Sequence, residues 1–314
     1  MQEFHVPVML AEVLHYLDPQ SGETVIDGTV GGGGHAIEIA KRILPGGRLI
    51  GIDRDEEALD AASKRLSEFS GNVTLVKGDF GNLEAIARDL DIQAIDGALL
   101  DLGVSSHQLD TAERGFSFRQ DAPLDMRMDR TQRLTAREIV NLYSERHLAE
   151  IIRDYGEERW AKRIAQFIID RRTRKPIETT GELVEVILAA MPSGARPKDI
   201  HPATRTFMAL RIATNRELES LRTGLEAAIG LLAGDGRIVV LSWHSLEDRI
   251  VKESFLRHSG RCTCPPGLPV CACGTEKELE ILTKRPVTAS PDEVAAHPPA
   301  RSAKLRAAKK LLRQ

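Results

Sequence analysis

Along the first hundred residues, short apolar runs alternate with stretches whose apolar positions recur at helical spacing. The runs fall at residues 25–27, 48–52, 73–77 and 95–101 and predict four strands. Residues 7–14, a pattern starting at His35, and residues 59–66 predict helices around them. Such alternation predicts a parallel sheet with helices on both faces. After Asp101 the rhythm breaks. Residues 105–204 hold no strand pattern but several helical ones. Capping boxes at 135–138 (TARE) and 179–182 (TTGE) precede apolar-periodic runs, and residues 157–174 read as a basic helix. Pro176, Pro192, Pro197 and Pro202 punctuate the end of this block. A long helix over 203–232 then leads into a fifth strand at 236–242, and residues 278–283 with the segment around Val287 close the sheet. The expected class is α/β: a discontinuous sheet domain, 1–108 plus 205–314, with an all-helical insertion at 109–204.

The first apolar run ends at Asp27, and four consecutive glycines, Gly31 to Gly34, separate it from the helical pattern at His35. Side-chain-free residues let a backbone turn tightly and approach a ligand. Asp53 closes the second run about twenty residues on, the spacing at which an acid meets the ribose of an adenine nucleoside. Gly31, Gly33 and Ala36 also satisfy the dinucleotide fingerprint. Two features favour S-adenosyl-L-methionine instead. Asp27 lies where a carboxylate can face an ammonium group but would repel a pyrophosphate. The third run is followed by Asp79-Phe80, an acid and a ring suited to adenine. In a parallel sheet the turns after Asp27, Asp53, Asp79 and Asp101 surround one pocket.

Charge changes this picture only by halves. The first 104 residues hold 18 acidic against 8 basic side chains, whereas residues 206–314 hold 12 against 17. A polyanion is therefore expected to meet the later parts of the chain. No apolar run approaches the roughly 20 residues of a membrane span, and residues 1–5 lack signal-peptide anatomy. The expected location is the cytoplasm, without a membrane partner; a homodimer is compatible with the sequence.

Candidate chemistry follows from the strand ends. Asp101 precedes the loop LGVSSHQ, which in amine methyltransferases faces the transferring methyl. An exocyclic base amine is a poor nucleophile, and an oxygen accepting its N–H localises and aligns the lone pair. Asp101 is the candidate acceptor; holding the cofactor is its other reading. Trp243 and His244 follow the fifth strand and are placed to stack an extruded base and to hydrogen-bond its edge, against ordinary structural roles for both. His244 is the second candidate catalytic residue. Arg114 and Arg119, interleaved with Phe116 and Phe118, suit phosphate contact and base stacking. The basic tail 301–313 reads as a phosphate contact or a frayed helix. Cys262, Cys264, Cys271 and Cys273 form two C-x-C pairs that are a candidate structural zinc site or plain thiols.

Taken together, the stretches 27–35, 101–110, 114–118, 123–129, 201–207, 244–249 and 301–306 resemble the RsmH (MraW) family of bacterial small-subunit rRNA cytosine-N4-methyltransferases. The resemblance runs from His5 to Arg306. It implies a class I Rossmann-like, S-adenosylmethionine-dependent methyltransferase acting on a cytidine in the decoding centre of 16S rRNA, within the small ribosomal subunit. It also implies cofactor contacts at Gly33, Gly34, His35, Asp53, Phe80, Asp101 and Gln108. Trp243 stands where the family commonly has Phe. Two rival expectations are a methyltransferase for a protein or small molecule, and a non-catalytic ribosome assembly factor.

Overall fold

Seven strands form one sheet in the order β3-β2-β1-β4-β5-β7-β6. They are β1 (Thr24–Asp27), β2 (Arg48–Asp53), β3 (Val73–Lys77), β4 (Ile95–Asp101), β5 (Leu232–Ser242), β6 (Leu279–Ile281) and β7 (Lys304–Lys310). The computed structural model describes residues 7–197, 199–261, 264 and 276–312. β1 to β5 pair in parallel, and β7 enters antiparallel between β5 and β6. Central strands bury both faces, as the run Leu49 to Ile52 does in β2, which is why they read as continuous apolar runs. The chain moves outward from β1 through β3 and then returns to β4. The order therefore reverses between β1 and β4, the position where parallel sheets bind ligands beyond their carboxyl ends.

Two compact units divide the chain, Met1–Gly103 with Leu218–Gln314, and Val104–Glu217. In the sheet unit, α1 (Leu10–Leu17), α2 (Gly34–Ile43), α3 (Glu56–Arg65) and α4 (Leu83–Asp89) alternate with the first strands. Their apolar faces, such as Val13 with Leu17 and Ile39 with Ile43, are buried in the sheet core.

The helical unit contains α5 (Ser106–Asp110), α6 (Ala136–Leu142), α7 (Glu145–Gly156), α8 (Ala161–Arg172), α9 (Thr180–Ala190) and α10 (Thr204–Asn215). Thr135 and Thr179 cap α6 and α9, each accepting from the N–H of the Glu three residues on. A core of Leu148, Ile152, Ile164, Ile168, Leu183, Ile187 and Phe207 holds these helices together. Asn215 seals the unit, accepting from Met128 N–H at 2.8 Å and donating to the Met126 carbonyl at 2.8 Å. The two units meet at 103/104 and 217/218, beside the expected 108/109 and 204/205, and α10 buries Phe207 and Leu210 in the helical core.

Three further expectations change. The long helix over 203–232 is two helices, α10 and α11 (Glu217–Leu231), because Arg216 adopts a left-handed φ of 52°. The basic helix starts at Ala161, since Glu157 is left-handed at φ 47°. Arg301 is exposed and Arg313 lies outside the described residues, but residues 304–310 of the basic tail are β7, not a frayed helix. The cations of β7 are paired internally, with Asp248 on α12 (Ser245–His258) accepting from Arg306 Nε at 2.7 Å. Lys310 Nζ donates to Glu278 Oε2 at 2.8 Å, and Lys309 pairs with Asp235. After β6 a short helix, α13 (Pro291–Ala296), precedes β7.

Removing Arg306 leaves the nearly buried Asp248 with only the longer contact to Lys304 Nζ at 3.6 Å. Arg306→Ala is expected to cost about 2–4 kcal/mol of stability, read as a fall in the urea-unfolding midpoint. A midpoint equal to the wild type would mean that the Asp248 contact is dispensable.

Candidate active site

The turn between β1 and α2 is stitched to both neighbouring strands. Gly28 N–H donates to the Leu99 carbonyl and Val30 N–H to the Ile52 carbonyl, each at 2.9 Å. A Cβ at Gly28 would lie 2.6 Å from Leu100 Cδ2, so the strand crossing admits only hydrogen there. Gly31 and Gly33 take φ values of 50° and 80°, and α2 starts at Gly34. The bend thus sits over the carboxyl ends of β1, β2 and β4.

Three carboxylates line those ends. Asp27 accepts from Thr29 N–H at 3.1 Å, and Asp53 accepts from the N–H groups of Gly31 and Asp55 at 2.9 Å each. Asp101 lies at the end of β4, where its own N–H donates to Thr29 Oγ1 at 2.6 Å. Among the described residues none of the three forms an ion pair with Lys or Arg. Burial pushes Asp27 and Asp101 up to about 7 and Asp53 to about 6, with the Asp101 and Asp53 charges adding to the shift of Asp27. This floor favours a cationic ligand and would repel a pyrophosphate.

His35 joins the floor from α2. Its Nε2 lies 3.0 Å from the Val8 carbonyl, which only accepts, so Nε2 carries hydrogen. Nδ1 then faces Asp101 Oδ2 at 3.6 Å. A proton between these two atoms, on either one, makes that approach attractive.

The pair after β3 divides its roles. Asp79 Oδ1 is bound by Arg54 at 2.7 Å and by Gly81 N–H at 2.8 Å, and Oδ2 by the Ser220 hydroxyl at 2.7 Å. Three protein donors thus hold its carboxylate in place beside Phe80. Phe80 is nearly buried, and α11 passes so close that a Cβ at Gly224 would stand 2.5 Å from the ring.

At the end of β5, the Trp243 indole N–H donates to Asp101 Oδ1 at 3.2 Å. Glu247, buried in the first turn of α12, accepts from Trp243 N–H at 2.7 Å and from His244 N–H at 3.3 Å. Its other oxygen lies 3.1 Å from His244 Nε2, and the His244 side chain is itself nearly buried. Neither His244 nitrogen makes a well-angled hydrogen bond among the described residues. Trp243 is thus tied at its N–H edge, and the His244 side chain faces Glu247 with little of its surface exposed.

In the helical unit, Gln108 is buried in α5 and completes a capping box, its Oε1 accepting from Ser105 N–H at 3.1 Å. Arg114 is buried as well, donating to the carbonyls of Arg127 and Met128 at 3.1 and 3.0 Å. Those bonds make it a brace of the 126–128 segment, in place of the expected surface contact with phosphate. Arg119 is exposed, and its guanidinium has no ion-pair partner among the described residues. Of the proposed zinc ligands, Cys262, Cys271 and Cys273 lie outside the described residues, while Cys264 is described and half-buried.

Sequence reasoning overlooked Thr29 and Glu247. Glu247 carried a signal, an acid three residues after His244 at the start of an apolar-periodic run, the position of a capping acid. Thr29 stood beside the glycines with nothing in its spacing to mark it.

Known proteins bear on the whole chain. A model of the MraW methylase family matches residues 2–311. The chain is 56% identical to the ribosomal RNA small subunit methyltransferase H of Symbiobacterium thermophilum, over 98% of this chain and 96% of the relative. It is 57% identical to the protein of that name in Geobacter sulfurreducens, over 98% of this chain and 99% of the relative. For the counterpart in Heliobacterium modesticaldum the identity is 53%, over 98% of each. The sheet order, the acidic floor beneath a glycine bend and the helical insertion are those of a Rossmann-like methyltransferase, and the chain belongs to the MraW methylase family.

Proposed function

We propose that this protein transfers a methyl group from S-adenosyl-L-methionine to the exocyclic N4 of a cytidine in 16S rRNA, within the small ribosomal subunit. The observation that carries the reading is the floor of three carboxylates beneath the glycine bend, Asp27 buried and Asp53 and Asp101 half-buried, with no lysine or arginine partner among the described residues, in a chain of this family. The decoding centre is the substrate region that the resemblance implies, and work on ribosomal subunits places the reaction in the cytoplasm.

The residues fit the cofactor. Asp27 matches its ammonium group, Asp53 its ribose hydroxyls and the Phe80 ring its adenine, while Gly33, Gly34 and His35 let the backbone come close. When bound, the cofactor supplies an electrophilic methyl on a sulfonium. Asp101 acts from the chain's side. Its carboxylate accepts an N–H of the acceptor amine, which localises the nitrogen lone pair and orients it for in-line attack. No strong base is required, because the amine proton becomes acidic once the methyl is attached. Arg119 is the candidate contact of the helical unit with phosphate. Transfer of labelled methyl to isolated small subunits, with N4-methylcytidine found in the digested RNA, tests the reading. Label on protein alone would refute it.

Asp53→Ala is expected to weaken cofactor binding at least tenfold while leaving RNA affinity within about twofold, since a charge-assisted pair to a hydroxyl is lost. Calorimetry with each ligand separately checks this, and undiminished cofactor affinity would remove the ribose assignment.

The raised acids also set a pH dependence. A carboxyl whose folded-state pKa lies above its unfolded value opposes folding increasingly as pH rises from about 4 to about 7. A cationic ligand binds the ionised form and reverses that cost. Cofactor affinity is therefore expected to fall roughly tenfold from pH 8 to pH 6, one unit below the value of about 7 for Asp27 and Asp101. Proton release on binding at pH 6, measured in buffers of different ionisation enthalpy, checks the sign.

A further inference from the structure

The bond from Trp243 to Asp101 is built from both sides. Trp243 is held at its backbone by Glu247, 2.7 Å from its N–H. Its five-membered ring lies over Gly103, where a Cβ would be 3.2 Å from Cδ1 and where φ is +92°. No other residue type fits at 103 without pushing the indole away. In this placement the ring directs its N–H to Asp101 Oδ1 at 3.2 Å. Thr29 fixes the Asp101 backbone, and His35 Nδ1 stands 3.6 Å from the second oxygen.

We propose that Trp243 is a positioning residue for methyl transfer: its indole N–H anchors one oxygen of Asp101 and so holds the carboxylate ready to accept a hydrogen bond from the acceptor amine. The inference rests on the function proposed above. It assigns to Trp243 a task distinct from base stacking, acting through Asp101 instead of on the substrate.

The charged and titratable neighbours decide how much the bond matters. Glu247 on α12 opposes ionisation of Asp101, and the Asp101 charge in turn raises Asp27 on β1; His35 on α2 faces Asp101, and His244 stands beside Glu247. Burial is the largest influence pushing the Asp101 carboxyl up, and the Trp243 N–H is the chief influence pulling it down. A hydrogen bond to a carboxylate favours the ionised form, which is the one able to accept from an amine. The tryptophan therefore extends the working range towards acid.

Trp243→Phe keeps an aromatic ring and removes the donor. Two measurements on the full-length protein test the role. The first is the Asp101 carboxyl titration by carbon-13 NMR, with the resonance assigned by its loss in Asp101→Asn. The second is kcat against pH on isolated small subunits with S-adenosyl-L-methionine. The variant is expected to titrate about one unit higher, with kcat roughly tenfold lower at pH 6 and the deficit narrowing to a few-fold at pH 9. An unchanged Asp101 titration overturns the proposal, as does a loss of kcat that is uniform across pH. Should the wild type methylate no RNA, the functional reading fails, and the NMR titration still decides whether Trp243 governs Asp101.

Discussion

Three carboxylates share the carboxyl end of one sheet, Asp27 buried and Asp53 and Asp101 half-buried, and among the described residues no lysine or arginine neutralises them. Mutual repulsion and desolvation both work against that arrangement. It persists because backbone N–H groups from the glycine bend and from Asp55 bind the oxygens, and because the parallel strands leave the aspartates nowhere else to go. The bend, the close contact at Gly28 and the reversal of strand order between β1 and β4 all serve to hold negative charge in one place. A positively charged cofactor completes that electrostatic design, so binding and folding draw on the same groups.

Around this centre the protein uses its polar side chains as braces. Asp79, which a reading by type would aim at a ligand, is surrounded by Arg54, Ser220 and Gly81 and thereby orders the approach to Phe80. Glu247 ties two successive N–H groups at the top of β5 and fixes the loop carrying Trp243. In the helical unit Arg114 and Asn215 perform the same service for the segment 126–128. Ligand-facing groups can be held this closely because a second layer of polar residues is itself immobilised.

Much of the architecture was legible because apolar continuity marks strands buried on both faces, as in residues 48–52 and 95–101. The aspartates ending those runs were legible for the same reason, since periodicity placed them at strand ends. The break at Arg216 was hidden: no glycine or proline marks it, and the turn depends on Asn215 reaching residues 126 and 128, far away in sequence. The tail misled because six basic residues without an acid resemble a polyanion contact. Lys304, Arg306, Lys309 and Lys310 instead find Asp235, Asp248 and Glu278 elsewhere in the chain, and only the fold brings them together. Arg114 was misread likewise, since type and neighbours do not reveal burial.

The antiparallel entry of β7 has a consequence for biosynthesis. Residues 304–310 occupy the slot between β5 and β6, and β4 meets β5 only across the intervening helical unit. While the nascent chain is shorter than this, the outer edge of β5 remains unpaired, with its N–H and C=O groups open to other strands. β7 therefore joins the sheet only after β6 has been made, by threading between two strands that precede it in the chain. During translation, that open margin is a surface on which a chaperone can act.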